Sequence, residues 1–326
     1  MKGKYKVIVQ NKRIHYEFEI KRNITIIKGQ SATGKTALVD MVREYYENGS
    51  ASGISVSCDK TCAVLEGRNW ELDLQIFHDS ILFIDEGNAF VNSVDFASKI
   101  QETDNYYVIV TRESLPSLPY SVEEIYGIRN SGKYGSLKQT YNELFHIYGL
   151  KNYGEALTPQ EVLTEDSNAG FQFFSSVCQE NGLECKTSQG KSNIYGLLEK
   201  EKSKDILVIA DGAAIGSEID RIMKLASARK NIALYLPESF EWMILASDIL
   251  NDKEIKEILD KPEEYVDCKE FFSWERFFTD LLIHKSEGTY LQYSKRMIPQ
   301  SYLYASIADK ILQVMEKIDL KWGSKE

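Results

Sequence analysis

Two textures of hydrophobic and polar positions run along the chain. Around Val7 and Val9, and again through Ile14, Tyr16, Phe18 and Ile20, apolar and polar residues alternate at every step. Asn11-Lys12-Arg13 joins the two stretches, and the pattern predicts a β-hairpin over residues 4–20. Residues 24–27, 80–84 and 106–110 are instead unbroken apolar runs, the signature of parallel strands buried on both faces. Between them Leu38, Val39, Met41 and Val42 recur at helical spacing and predict a helix ending near Glu47; residues 69–78 and 94–100 predict two more. Short strands are expected at 54–57 and 62–65, a closing strand at 124–128, and a helix over 139–148.

The second half repeats strand then helix. A strand at 162–165 leads into Phe171, Phe173, Phe174, Val177 and Cys178 at helical spacing. An extended piece follows at 184–187, and another helix opens near Gly190-Lys191-Ser192-Asn193. The apolar run 206–210 ends in Asp211, a small-residue turn follows through Gly216, and 232–236 forms one more strand with Glu238 and Glu241 just beyond. From residue 251 the pattern is helical, with Phe271, Phe272, Trp274, Phe277, Phe278, Leu281 and Leu282 spaced for a core or a partner face. Loop-forming residues at 149–154 mark a join. The expected class is α/β, with a domain over 1–150, a parallel-sheet domain over 155–250 and a helical C-terminal extension over 251–326.

Chemistry concentrates where strands end. Directly after the run 24–27 comes Gly29-Gln30-Ser31-Ala32-Thr33-Gly34-Lys35-Thr36, followed at once by the helix. Gly29 and Gly34 permit the backbone angles that curl a loop around a phosphate, so that N–H groups converge on the anion at a helix N-terminus. Lys35 supplies a cation for the outer phosphates, and the Thr36 hydroxyl can enter a Mg²⁺ shell. A glycine-rich turn without a ligand is the bland alternative. The run 80–84 ends in Asp85-Glu86, placing Asp85 to hold Mg²⁺ and Glu86 to orient an attacking water. Thr111 and Arg112, at the end of the run 106–110, stand either where a γ-phosphate can be sensed or simply at the surface.

Composition narrows the field. At 326 residues the chain suits about two domains. Its 43% hydrophobic content is ample for their cores. No run approaches a membrane span and no secretory leader is recognisable, so a cytoplasmic protein without a membrane partner is expected. The five cysteines lack framework spacing, as reduced thiols do, and Cys58 and Cys62 have no second pair to complete a zinc site. A net charge of −10 argues against coating nucleic acid, although the first 28 residues are locally basic. Lys285, Lys295 and Arg296 beside Tyr290 and Tyr293 read either as a nucleic-acid groove or as solvated helix surface.

On these motifs residues 1 to about 130 resemble a P-loop ATPase of the ABC type, with ATP and Mg²⁺ as the implied cofactors. The helical subdomain and the Leu-Ser-Gly-Gly signature of that family are missing, and Thr111-Arg112 stands where it has Thr-His. The second half resembles a Toprim domain: Glu165 matches its glutamate, Asp211 its first aspartate and Gly216 the later glycine, while Ala213 occupies the second aspartate position. The pair is similar to the OLD family, in which such an ATPase is fused to a Toprim nuclease and some members act in defence against phage. The resemblance implies a catalytic Glu86, with Lys35 on the phosphates and Mg²⁺ on Thr36 and Asp85. In the second half Asp211 would hold a metal, with Glu165 as general base or second ligand; Glu218, Glu238 or Glu241 could replace the lost aspartate. It also implies self-association and either a nucleic-acid substrate or, if Ala213 marks a dead site, capture of a partner effector protein. A small-molecule kinase is a third reading, against which the Asp85-Glu86 pair weighs because it suits water activation.

Overall fold

A computed structural model describes residues 1–29, 34–131, 139–148 and 158–320. The chain divides into two compact units, Met1–Gly149 with Lys261–Ser273, and Leu150–Asp260 with Trp274–Glu326.

Unit 1 is built on strands β1 (Tyr5–Gln10), β2 (Ile14–Ile20), β3 (Ile24–Ile27), β4 (Ser55–Ser57), β5 (Thr61–Val64), β6 (Ser80–Ile84), β7 (Tyr106–Val110), β8 (Ile125–Asn130) and β9 (Thr140–His146). They form one nine-stranded sheet in the order β4-β1-β2-β9-β8-β3-β7-β6-β5. The strands β5, β6, β7, β3 and β8 are mutually parallel, and β3, β6 and β7 are buried along their whole length, as their unbroken apolar sequences require. Alternation in β1 and β2 does the opposite: Val7, Val9, Tyr16, Phe18 and Ile20 turn inward while Glu17 and Glu19 face solvent. Those outward acids meet the basic N-terminal lysines, Lys6 with Glu17 at 2.6 Å and Lys4 with Glu19 at 3.4 Å. Helix α1 (Lys35–Asn48) lays Leu38, Val39, Met41 and Val42 on a core shared with Val9, Phe18, Ile27, Phe83 and Val108. Helices α2 (Trp70–Ile76) and α3 (Val94–Lys99) join β5 to β6 and β6 to β7.

Residues 139–148, expected as a helix, contain strand β9 instead. It runs parallel to β2 and antiparallel to β8, and so ties the hairpin to the parallel core. The interior of β9 is half-buried on both faces, so apolar and polar residues mix without the clean two-residue period that marks a one-sided strand.

Unit 2 carries a four-stranded parallel sheet, β11-β10-β12-β13, from β10 (Glu161–Thr164), β11 (Glu184–Thr187), β12 (Ile206–Ile209) and β13 (Ile232–Tyr235). Helices α4 (Ala169–Glu180), α5 (Lys191–Lys200) and α6 (Ile219–Ala228) alternate with these strands. They are followed by α7 (Phe240–Ala246), α8 (Lys253–Asp260), α9 (Trp274–Ser286) and α10 (Ala305–Gln313). Phe173, Phe174 and Phe240 pack ring against ring beneath the sheet.

The expected C-terminal extension is divided between the two units. Its segment Lys261–Ser273 belongs to unit 1, where the Cys268 amide donates to the Met1 carbonyl at 3.0 Å and the Gly3 amide to the Glu263 carbonyl at 2.7 Å. The Asn23 side chain also bonds the Phe272 carbonyl. The aromatic stretch therefore serves two cores rather than one: Phe272 is buried in unit 1, and Trp274, Phe277, Phe278 and Leu282 in unit 2.

Candidate functional site

In unit 1 the C-terminal ends of β3, β7 and β6 lie side by side on one edge of the parallel sheet. Parallel register fixes this: Ile27 pairs with Val110 and Ile84 with Ile109, so the residues that follow leave the sheet together. Crevices beyond the carboxyl ends of parallel strands are where α/β proteins take ligands. With β7 between them, β3 and β6 are about 10 Å apart at ordinary strand spacing.

On β3 the chain leaves through Gly29, at φ 151°, and Gly34, at φ 89°, stands directly ahead of α1. Gln30, Ser31, Ala32 and Thr33 lie outside the described residues. Gly34 is pinned from below, because the Tyr16 hydroxyl donates to its carbonyl at 2.7 Å. A Cβ at residue 34 would stand 2.8 Å from that same hydroxyl, so both the left-handed backbone and the space require glycine. Lys35 is buried, and its ammonium donates to the Gly29 carbonyl at 2.8 Å, spanning the two ends of the loop. Burial, and then the nearby Arg112 guanidinium, hold its pKa below the usual lysine value. Thr36 is exposed in the first turn of α1.

Beyond β6, Asp85 and Glu86 differ in environment. Asp85 Oδ1 is buried and has no hydrogen-bond partner, and burial raises the carboxyl's pKa above the ordinary aspartate value. Glu86 is paired: Arg112 Nε lies 2.8 Å from one carboxylate oxygen and 3.0 Å from the other. Arg112 is aimed by a turn after β7, in which Thr111 Oγ1 accepts from the Glu113 amide at 3.0 Å and donates to the Glu113 carbonyl at 3.2 Å. The Thr111 hydroxyl is therefore engaged in the turn, and Arg112 is the group of that pair that faces Glu86. A cavity of about 380 Å³ opens here, lined by Asp85, Glu86, Asn88, Thr111, Arg112 and Glu113 over an apolar floor that includes Val91 and Ile109.

Unit 2 gathers its acids in the same way. Thr164 pairs with Ile209, so Glu165 and Asp211 follow neighbouring strand ends, and the Asp211 amide donates to Glu165 Oε2 at 3.1 Å. Burial pushes the Glu165 carboxyl up to about 7. Asp211 is raised well above the ordinary aspartate value by burial and by the surrounding carboxylates, Glu275 first among them. Asp166 accepts from the Phe171 amide at 2.8 Å and so serves the start of α4. The pocket between Thr164, Glu165, Asp211, Pro237 and Phe240 is small, about 20 Å³.

Of the three acids offered as substitutes for the missing aspartate, Glu218 pairs with Arg221 and Glu241 accepts from the Tyr293 hydroxyl at 2.9 Å. The Glu238 carbonyl receives the Ala213 amide at 3.3 Å. Among the described residues no group of three or more His, Cys, Asp or Glu side chains is arranged to hold a metal ion. Two lysines stand close by instead. Lys191 Nζ donates to the Ala214 carbonyl at 2.9 Å, and Lys295 Nζ lies 2.8 Å from Glu275 and 3.8 Å from Glu241. Residues 290–296 are not helical and Tyr293 is buried, so they do not form the helix surface that their composition allowed, whereas Lys285 lies in the last turn of α9, paired with Asp252 and Glu254.

Sequence reasoning missed Glu275, which starts α9, and the inward role of Lys295. Neither sits at a strand end, and spacing carries no signal for groups brought in from helices far along the chain. All five cysteines are free thiols. No helix among the described residues is long and apolar enough to cross a membrane. Comparison with family models, curated proteins and solved structures finds no match for this chain.

Proposed function

We propose that the chain is a Mg²⁺-dependent nucleoside triphosphatase, with ATP as the nucleotide that its resemblance to ABC-type P-loop ATPases implies. The observation that carries this reading is Asp85 Oδ1, a buried carboxylate oxygen left without a partner at the end of β6, across β7 from the loop strand. An unsatisfied buried acceptor costs about 1–3 kcal/mol. A hard divalent cation takes carboxylate oxygens and answers that need.

Residues 29 to 36 would hold the phosphates, with Lys35 on the outer pair, and Thr36 and Asp85 would hold the metal. When bound, Mg²⁺ neutralises charge on the phosphate oxygens. Glu86 orients the attacking water, and Lys35, already drawn across the loop, meets the negative charge that grows on the transferred group. Lys35→Ala should abolish ATP binding in an equilibrium titration. Glu86→Gln should keep that binding and release phosphate at least ~100-fold more slowly. Unchanged affinity in the first variant or unchanged turnover in the second sinks the assignment.

Unit 2, in this proposal, answers to the nucleotide as a Toprim-like phosphodiesterase, with Asp211 holding a metal and Glu165 acting as general base or second ligand, in a role such as defence against phage. A second reading is favoured by Lys191 and Lys295, cations near enough to Glu165 and Asp211 respectively to offset their charge, with Lys191 Nζ on the Ala214 carbonyl and Lys295 Nζ on Glu275. Unit 2 is then a binding module for a partner effector protein. Incubation of labelled DNA, RNA and tRNA with Mg²⁺ or Mn²⁺, with and without ATP, separates the two. Cleavage lost in Asp211→Ala supports the phosphodiesterase; no cleavage of any substrate by the wild type supports the binding module. Self-association, which ATPases of this kind use to complete their sites, is proposed by analogy.

A further inference from the structure

We propose that Cys58 and Cys62 form a reversible thiol–disulfide site, closed by hydrogen peroxide and reopened by thiol reductants. The site lies in the link between β4 and β5, which stand at opposite edges of the nine-stranded sheet, and it owes nothing to the nucleotide.

The backbone of Lys60 sorts the two sulfurs into different roles. Its amide donates to Cys58 Sγ at 3.5 Å, and its carbonyl accepts from the Cys62 thiol at 3.8 Å. Cys58 sulfur is thus held as an acceptor, the role of a thiolate, and Cys62 as a protonated donor. The two side chains also share a hydrogen bond. That contact first, and with it the Lys60 amide, bring the Cys58 pKa down to about 7, while the same contact and burial push the Cys62 thiol up. Exposure matches these roles: Cys58 is half-buried and reachable, whereas Cys62 is 6% exposed and belongs to the core. The thiolate is the nucleophile, so an attacking cysteine needs its low pKa on the accessible sulfur and a resolving thiol beside it.

The chemistry balances. Cys58 thiolate attacks one peroxide oxygen; an S–O bond forms, the O–O bond breaks, and the departing hydroxide takes a proton to become water. Cys62 then gives up its proton and attacks the Cys58 sulfur, so that an S–S bond forms, the S–O bond breaks and a second water leaves. Two electrons pass from the sulfurs to one peroxide. Sulfurs already in contact have only to close to about 2 Å.

Cys178 and Cys185 also share a hydrogen bond, with the arrangement reversed. There the contact lowers the pKa of Cys178, which is fully buried on α4, and half-buried Cys185 on β11 is pushed up. The sulfur that favours the thiolate is sealed away, so this pair reacts later.

The test treats the reduced full chain with hydrogen peroxide, alkylates the remaining thiols and maps tryptic peptides by mass. Trypsin cuts after Lys60 and separates the two cysteines, so the disulfide is read as a linked pair of peptides that a thiol reductant splits. That pair should form before any Cys178–Cys185 link. Without peroxide, Cys58 should be alkylated at pH 7 at least ~10-fold faster than the other cysteines. Cys62→Ser should leave Cys58 to be trapped by dimedone as a sulfenic acid, and Cys58→Ser should leave Cys62 unmodified. The wild-type map decides even where a serine variant fails to fold. Oxidation of Cys58 to the sulfinic acid without a linked peptide overturns the proposal, as does a Cys178–Cys185 link formed while Cys58 and Cys62 stay reduced.

Discussion

Gly34 and Tyr16 show how the start of α1 is held by a side chain from a neighbouring strand. The tyrosine is fully buried on β2, and its hydroxyl fills the space that a side chain at residue 34 would need. Burial lifts its pKa to about 12, so the hydroxyl remains a donor to the Gly34 carbonyl at any ordinary pH. Gly34→Ala should destabilise unit 1 by about 1–3 kcal/mol and weaken nucleotide binding, through positive φ and the clash together. Tyr16→Phe alone should cost about 1 kcal/mol, the ordinary net value of one hydrogen bond. Combining the two should recover part of the loss, because the clash is removed and the backbone strain stays; urea melts of the three variants check this. At this scale the sequence was informative wherever a local pattern demands a residue type. Gly29, Gly34, Lys35 and Asp85 were all visible because loop and strand end impose their chemistry locally. The Arg112–Glu86 pairing was not, since it depends on two strand ends becoming neighbours.

Among the elements, the buried parallel strands were the easiest to read, since burial on both faces leaves nothing but apolar residues in β3, β6 and β7. Strand β9 was the hardest. Its register with β8 places Phe145 opposite Gly127, and a Cβ there would come within 2.5 Å of the ring. Gly127→Ala should therefore destabilise unit 1 by about 1–3 kcal/mol. Phe145→Leu in the same chain should relieve most of that loss, whereas two residues that were not cross-strand partners would show additive losses. In unit 2, edge strand β11 carries Glu184, paired with Lys186 at 3.0 Å and also with Lys204. Hydrogen bonds from Lys204 and then Lys186 lower its pKa to about 2 from an ordinary 4.5. A carboxylate depressed in the folded state stabilises above its unfolded pKa and loses that contribution as pH falls through the folded one. The wild type should accordingly be slightly more stable than Glu184→Gln at pH 6, and the gap should close between about pH 4.5 and 2.

For the whole molecule, two units with separate sheets were legible from the alternation of strands and helices and from the loop-rich join. The course of the chain after residue 260 was not, because Phe271, Phe272, Trp274, Phe277 and Phe278 look alike in sequence and only the fold assigns them to different cores. Phe272→Ala should lower the melting temperature of unit 1 by several degrees and leave the amide exchange of β10 and β12 in unit 2 unchanged. Saturating ATP with Mg²⁺ should protect β3, α1 and β6 from exchange by about 3 kcal/mol at a hundredfold excess over Kd. Protection that extended to α5 or α9 would be direct evidence that the nucleotide speaks to the second sheet.

The return of Lys261–Ser273 to unit 1 has a further consequence during synthesis. A nascent chain that has emerged only as far as β9 still lacks the strip that covers the Met1 backbone and receives Asn23. Unit 1 thus completes its packing only after all four strands of the second sheet have been synthesised, and the order of translation delays the finished first sheet until the second is already made.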